Sequence, residues 1–315
     1  MGGRAPSPAS APGLRFGIPV TEALELVRSA PLPGISEAFA TRALTRLARG
    51  ADARWRVDGE LGCAAGVVID TCASRDDVAD LLTLGGHPER LSAREVTLLI
   101  RGAESVVAGG RRGALEVALT PRVAASWGPV LQGEGYVGEY TIHAMERPGT
   151  LEQPRPLPPG LRWEPATVAR AAAYHRVASE TLLEVPGSMV VELEEFILAL
   201  QAPERPALLL MRDEEVLGFV RVTRGAAVAE LSALGLVRHA RGRGLGDALV
   251  EAGVALATDP MGTVAGGHHP STPPERIRLD VVASNQSATR LYLRHGFVVV
   301  AETPVVRKAL PRLTR

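Results

Sequence analysis

The apolar positions in the second half of the chain change period in a regular order. Ala207 to Met211 and Val216 to Val222 are apolar runs of strand length, parted by the polar turn Arg212-Asp213-Glu214, and they predict a hairpin. A further strand over Glu230-Leu-Ser-Ala-Leu-Gly-Leu leads into the basic, glycine-punctuated stretch Arg241 to Gly246. Leu245, Ala248, Leu249, Ala252 and Leu256 then recur at i, i+3, i+4, i+7 and i+11, the stripe of an amphipathic helix. Ile277, Leu279 and Val281 alternate as one face of a strand. Asn285 suits a helix start, and Ala288, Leu291 and Tyr292 share a helical face ahead of a Gly296-Phe297 stop. Before the hairpin, Trp163 to Thr167 reads as a strand and turn, and Val168 to Thr181 as a helix. Leu193, Phe196, Ile197 and Leu200 mark a second helix. The pattern predicts an α/β fold of the α+β kind, with a mixed sheet.

Pro148, Pro154, Pro156, Pro158 and Pro159 crowd a stretch that can continue neither a helix nor a central strand. The expected organisation is a disordered arm over 1–13, an N-terminal α/β domain over 14–147, a linker over 148–160 and a C-terminal domain over 161–315. A chain of 315 residues has the length of about two domains. Lys+Arg 35 balance Asp+Glu 35, so no overall field steers the protein to nucleic acid or an anionic membrane. No apolar run nears the ~18 residues of a spanning helix, and the N-terminus has no hydrophobic signal segment. Cys63 and Cys72 lack any C-x-x-C spacing and read as reduced thiols, a bridge between them being the alternative. A cytoplasmic protein is the expectation.

The candidate chemistry lies at Arg241-Gly-Arg-Gly-Leu-Gly246, between a strand and a helix. A helix N-terminus carries unpaired N–H groups and positive partial charge, and glycines let an anion approach the backbone closely. Arg241 and Arg243 add charge suited to a diphosphate. The glycines fit neither a P-loop nor the G-x-G-x-x-G dinucleotide fingerprint. Arg241-x-x-Gly244-x-Gly246 instead resembles the acyl-CoA pyrophosphate loop of the GNAT superfamily of N-acetyltransferases. Asn285-x-x-Ala288-x-x-Leu291-Tyr292-x-x-x-Gly296-Phe297 resembles the second signature of that family, and the likeness extends over residues 161–310. Leu115 to Leu119, Trp127 to Leu131, Gly135-Tyr136 and Tyr140 to Met145 echo the later elements, so the N-terminal half resembles a degenerate GNAT domain. That half has no Arg/Gly loop upstream and no matching asparagine. Its Gly109-Gly110-Arg111-Arg112-Gly113 precedes a strand-like run and reads as a plain turn.

The resemblance implies acetyl-CoA as acyl donor and transfer to a primary amine by direct attack in a ternary complex. Leu234, Gly235, Leu236, Arg241, Gly242, Arg243, Gly244, Leu245, Gly246, Asp247 and Asn285 are the implied cofactor residues. A backbone N–H near Leu234 to Leu236, beside a strand bulge eased by Gly235, would hold the oxyanion. Two carboxylates compete for the role of base. Glu230 resembles the base of histone-acetylating members, and Asp280 that of ribosomal-protein N-terminal acetyltransferases. Each otherwise reads as a solvated strand carboxylate. Tyr292 matches the family's thiolate-protonating tyrosine, with a core tyrosine as the other reading. Asn285 either contacts the cofactor or caps its helix. The expected partner is a small-molecule or peptide amine, with a homodimer compatible and neither nucleic acid nor membrane involved. No metal is expected, since His268-His269 lies in a Gly/Pro/Ser/Thr-rich loop without further ligand spacing. A non-catalytic acyl-CoA sensor or scaffold is the alternative. An RG-type nucleic-acid binder, which would show steeply salt-dependent binding, is a further one.

Overall fold

The computed structural model describes residues 13–29, 54–58, 63–70, 78–108, 113–150, 153–188, 190–202, 204–225, 227–258 and 273–311. Residues 1–12 of the expected arm, Cys72, the turn residues 109–112 and His268-His269 lie outside these residues, as does the side chain of Cys63. The chain divides into two compact units. One is Met1–Thr71, Arg75–Glu139 and Thr303–Arg315, and the other is Cys72–Ser74 and Tyr140–Glu302. The division runs through two strands and not through the proline-rich stretch at 148–160 where the composition places it.

The first unit contains β1 (Gly13–Phe16), α1 (Val20–Ser29), β2 (Arg54–Asp58), β3 (Cys63–Asp70) and β4 (Val78–Gly86), followed by α2 (Ala93–Ala108), β5 (Ala114–Ala118) and α3 (Ala124–Gly133). β1 to β4 form an antiparallel meander, and β4 pairs parallel with β5, Val78 opposite Ala114 and Leu81 opposite Val117. The parallel step requires a crossover, which α2 provides. Val96, Leu99, Ile100 and Ala103 of α2 pack on Leu115 and Val117, with Trp127 and Leu131 of α3 closing the core.

The second unit contains most of β6 (Val137–Pro148), then β7 (Leu161–Pro165), α4 (Ala171–Leu182), α5 (Leu193–Leu200), β8 (Ala207–Arg212) and β9 (Glu215–Thr223). There follow β10 (Val228–Leu236), α6 (Leu245–Thr258), β11 (Arg276–Val282), α7 (Gln286–Arg294) and the start of β12 (Val298–Ala309). Its strands run β7-β8-β9-β10-β11-β6, antiparallel throughout except for β10 with β11. The predicted hairpin is β8–β9, and Asp213 at its tip takes φ 50°, a conformation that aspartate tolerates better than most residues. Leu245, Leu249, Ala252 and Leu256 of α6 are buried against Val220, Leu231 and Ile277, so the stripe read from the sequence is the core face.

Both units repeat one plan: antiparallel strands, a parallel pair bridged by a helix, then a second helix stopped by a glycine at positive φ. Gly135 stands at φ +88° and Gly296 at +78°. A buried aromatic follows each, Tyr136 and Phe297. The long strand after each glycine then completes a sheet made by residues distant in sequence. β6 pairs along β11 from Ile142–Val282 to Pro148–Arg276, and the end of β12 pairs with β5 from Val305–Ala118 to Ala309–Ala114.

Candidate active site

β10 decides the shape of the site. It pairs with β11 only at Val228, Ala229 and Glu230, opposite Arg276, Ile277 and Arg278. Its register against β9 slips between Leu231 and Ala233, so Ser232 is the bulged residue. A bulge bends its strand and sharpens the local twist, and past it β10 no longer follows β11. The bulge thus lies upstream of the expected Leu234 to Leu236. Gly235 pairs regularly with Phe219 and is needed for a different reason. A Cβ there would lie 2.8 Å from Thr181 Cβ and 3.0 Å from Phe219 Cε1, so only glycine lets α4 lie so close to the sheet.

Between the parted strands lies a cleft of about 800 Å³. Leu231 to Leu236 form one wall and Asp280 to Val282 the other, with Tyr292, Ala288 and Asn285 from α7 at the side. Arg241, Gly242, Gly244, Gly246 and Asp247 line its mouth, and Glu184 to Ser188 cover it from the α4–α5 connection. The N–H of Val237 bonds Leu217 O on the β9 side. By strand alternation the backbone groups of Leu236 and Leu234 therefore turn to the cleft side. The Leu236 carbonyl is taken there by Arg241 Nε at 2.9 Å, and the N–H groups of Leu234 and Leu236 are the donors on that side.

The loop is shaped to receive an anion. Gly242 and Gly244 hold φ +74° and +75°, which L side chains rarely adopt. A Cβ on Gly246 would come within 3.3 Å of Leu291 Cδ2, so the first turn of α6 fits closely against α7. Leu245 is buried and anchors the loop into the core, while Arg243 is exposed and does not line the cleft. Asp247, expected at the cofactor, is bound to His295 Nε2 at 2.9 Å and Arg294 Nη2 at 3.1 Å. Burial opposes its ionisation, yet these hydrogen bonds prevail and hold its carboxyl below the usual range. Asp247 thus ties α6 to the end of α7.

Arg241 has a second partner besides Leu236. Its Nη1 bonds a Glu184 carboxylate oxygen at 2.6 Å, and Arg238 Nη2 bonds the other at 3.1 Å. Hydrogen bonds from Arg241 and Arg238 hold the Glu184 carboxyl below its ordinary value. An anion arriving at the loop must compete with Glu184 for Arg241. Glu184→Gln is expected to tighten CoA binding measured by calorimetry, modestly, by no more than about fivefold for so exposed a pair.

Glu230 and Asp280 lie on one face. Glu230 is paired across from Arg278, and Asp280 follows two residues along, while Ala229, Leu231, Ile277 and Leu279 fill the buried face. Asp280 lines the cleft and accepts from Arg278 at 3.3 Å. Glu230 stands at the base of the split. Its carboxyl is pushed up chiefly by burial and also by the negative charge of Asp280, against the opposing field of Arg278, Arg205 and Arg221. Glu230 nevertheless keeps an exposed surface, which moderates the effect of burial. Tyr292 lines the cleft from α7 with its ring edge-on to Phe297, and burial pushes its phenol up to about 12. Asn285 caps α7, its Oδ1 accepting from Ala288 N at 3.2 Å, while its residue also lines the cleft.

The sequence reading missed Ile142, a cleft residue on β6, because β6 stands before the proline-rich stretch and joins the sheet only through its pairing with β11. It also missed the pairing of Glu184 with Arg241, for which no motif exists. The first unit treats the corresponding place differently. Between β4 and α2 stands His87-Pro88-Glu89-Arg90-Leu91, and Pro88 has no N–H to offer. The start of α2 is closed by its own side chains: Ser92 N donates to Glu95 Oε2 at 2.6 Å and Glu95 N to Ser92 Oγ at 3.4 Å, with Glu95 2% exposed. This capping box puts a buried carboxylate where the second unit presents bare amides.

Residues 204–299 match the acetyltransferase (GNAT) domain family, a span that holds both the glycine loop and the α7 signature. No curated protein matches the sequence. Among solved structures, the chain resembles a GCN5-related N-acetyltransferase from Sphaerobacter thermophilus at TM-score 0.65 and 18% identity, over 96% of this chain and 98% of that one. It also resembles a tandem GNAT protein from the clavulanic acid biosynthesis pathway, at TM-score 0.67 and 15% identity over 96% and 100% of the two chains. A GCN5-related N-acetyltransferase from Kribbella flavida matches at TM-score 0.56 and 15% identity over 83% and 91%. The chain thus has the GNAT fold over nearly its whole length, and its residues 204–299 carry the match to the acetyltransferase (GNAT) domain family.

Proposed function

We propose that the second unit transfers an acetyl group from acetyl-CoA to a primary amine by direct attack in a ternary complex. One observation carries this reading: the glycine loop and bare N-terminus of α6 open at the mouth of the cleft made where β10 leaves β11. The residues fit the donor. Gly242 to Gly246 and Arg241 would hold a diphosphate by backbone amides and charge, and the Leu234 side of β10 can pair with an extended arm as an added strand would. When bound, acetyl-CoA supplies an acetyl group activated as a thioester.

The protein's own groups then act on protons and charge. Glu230, directly or through water, removes a proton from the acceptor ammonium; a lysine-like amine, with a pKa of about 10.4, is mostly charged at neutral pH. The Leu234 N–H donates to the oxygen on which negative charge develops. Tyr292 donates its phenolic proton to the departing thiolate.

The test is thiol release from acetyl-CoA over a panel of amines, amino acids and N-terminal peptides, with Glu230→Gln and Asp280→Asn in parallel. Glu230 must be ionised to act, and its carboxyl is raised, so kcat/KM should climb with pH through a midpoint above the usual carboxylate range. Glu230→Gln should lower kcat/KM on the order of 100-fold and erase that midpoint. If Asp280→Asn does so instead, the base is Asp280. Calorimetric CoA binding with no turnover on any acceptor would favour the sensor.

A further inference from the structure

The face of the sheet that carries Glu230 also carries a guanidinium with no part in the acetyl-transfer steps. On β9 and β10, Glu230 is paired with Thr223 and Ala233 with Arg221, so Arg221, Thr223, Glu230 and Ala233 share one face, while Leu231 and Val222 share the other. Phe219, two residues before Arg221, packs its ring 5.0 Å from that of Tyr174 on α4, which places this face beneath α4. Arg278 and Asp280 extend the same face onto β11.

The charged groups here are Glu230, Asp280, Arg205, Arg221 and Arg278. Asp280 is held by Arg278. The Nε of Arg221 is buried with no hydrogen-bond partner, and among the described residues its guanidinium has neither hydrogen bond nor ion pair. Tyr174, fully buried beside it, also has no partner for its hydroxyl among the described residues. A buried donor left unpaired carries a desolvation penalty that a ligand accepting from it removes. A guanidinium presents a planar fork that matches a carboxylate through two parallel hydrogen bonds. Glu230 and Arg221 stand on adjacent strands, offset by two positions along the sheet, roughly 7 Å, with strands about 4.8 Å apart. A compact amino acid spans the gap between such a pair of heads. A peptide N-terminus has an amide where the free carboxylate would be needed.

We propose that the acceptor is a free amino acid whose carboxylate is taken by Arg221 while its amine lies at Glu230. The proposal rests on the acetyl-transfer reading and names its substrate class. The experiment is steady-state thiol release by the full-length protein on matched sets, each a free amino acid, its carboxamide, its decarboxylated amine and a peptide beginning with it. Wild type, Arg221→Gln and Arg221→Lys are compared. The wild type should favour the amino acid at least about tenfold in kcat/KM, because a site built around a paired charge rejects ligands that leave it unpaired. Arg221→Gln should remove that preference mainly through KM, leave the carboxamide within about twofold, and leave CoA affinity unchanged, with Arg221→Lys partly restoring the preference. Equal use of all four acceptors by the wild type, or an equal loss on all four in Arg221→Gln, overturns the proposal and leaves acetyl transfer standing. The wild-type preference and Arg221→Lys decide the matter if Arg221→Gln does not fold. Binding of acetyl-CoA without turnover of any acceptor overturns the acetyl-transfer reading, and this proposal with it.

Discussion

Gly244→Glu should abolish CoA binding while leaving the protein folded. Gly244 holds φ +75°, and any L side chain there costs about 1–2 kcal/mol of backbone strain in the loop. A Cβ at this position would meet no atom within 4 Å, so the substitution does not disturb packing. The added carboxylate stands at the mouth of the cleft, where the amides of the α6 N-terminus would face the diphosphate. Two negative charges about 4 Å apart repel by about 1 kcal/mol in bulk water and about 4 kcal/mol near a protein surface. At the value near a protein surface the repulsion alone exceeds about 3 kcal/mol, a loss of at least about 100-fold in affinity, whereas the strain acts on stability. Calorimetry with CoA and a thermal melt measure the two halves of the expectation. Retained affinity in a folded Gly244→Glu protein would mean that the diphosphate lies elsewhere.

The second large effect is expected at Tyr292. Tyr292→Phe keeps the ring that packs beside Phe297 and removes only the hydroxyl, so CoA affinity and stability should change little. If the phenol protonates the departing thiolate, kcat should fall about 100- to 1000-fold. The pH profile separates this role from a packing role. Burial pushes the phenol up to about 12, so Tyr292 keeps its proton through neutral and mildly alkaline pH and acts as an acid there. The variant should therefore lower the whole profile without moving its limbs, whereas Glu230→Gln should remove the acid limb. An unchanged kcat in Tyr292→Phe would reduce Tyr292 to a core side chain at the cleft wall.

The sequence made the second unit's chemistry legible because its cradle is local. Arg241 to Gly246 act through backbone conformation and a helix N-terminus that begins within the stretch, at Leu245, so adjacent residues write the whole device. The same holds for Asn285, whose cap reaches only to Ala288. The hairpin β8–β9 and the α6 stripe were legible for a like reason, since their periods follow from burial of one face. The echo in the first half was legible as well, and the structure gives it a physical form in the parallel pair β4–β5 and the left-handed Gly135.

Other features depend on residues that meet only in the fold. By itself the chain determined the period of each element, the glycine loop and the candidate acid and bases, because local backbone preference and side-chain period are properties of neighbouring residues. Tertiary structure alone decided that β6 lies along β11 and brings Ile142 to the cleft, across more than a hundred residues, since strand pairing is blind to sequence distance. It placed the bulge at Ser232 and gave Gly235 its purpose, closeness to Thr181. It turned Asp247 toward His295, set Glu184 on Arg241 and, among the described residues, left Arg221 unpaired beside Tyr174. Charges find partners by distance in space, and no spacing along the chain records that distance.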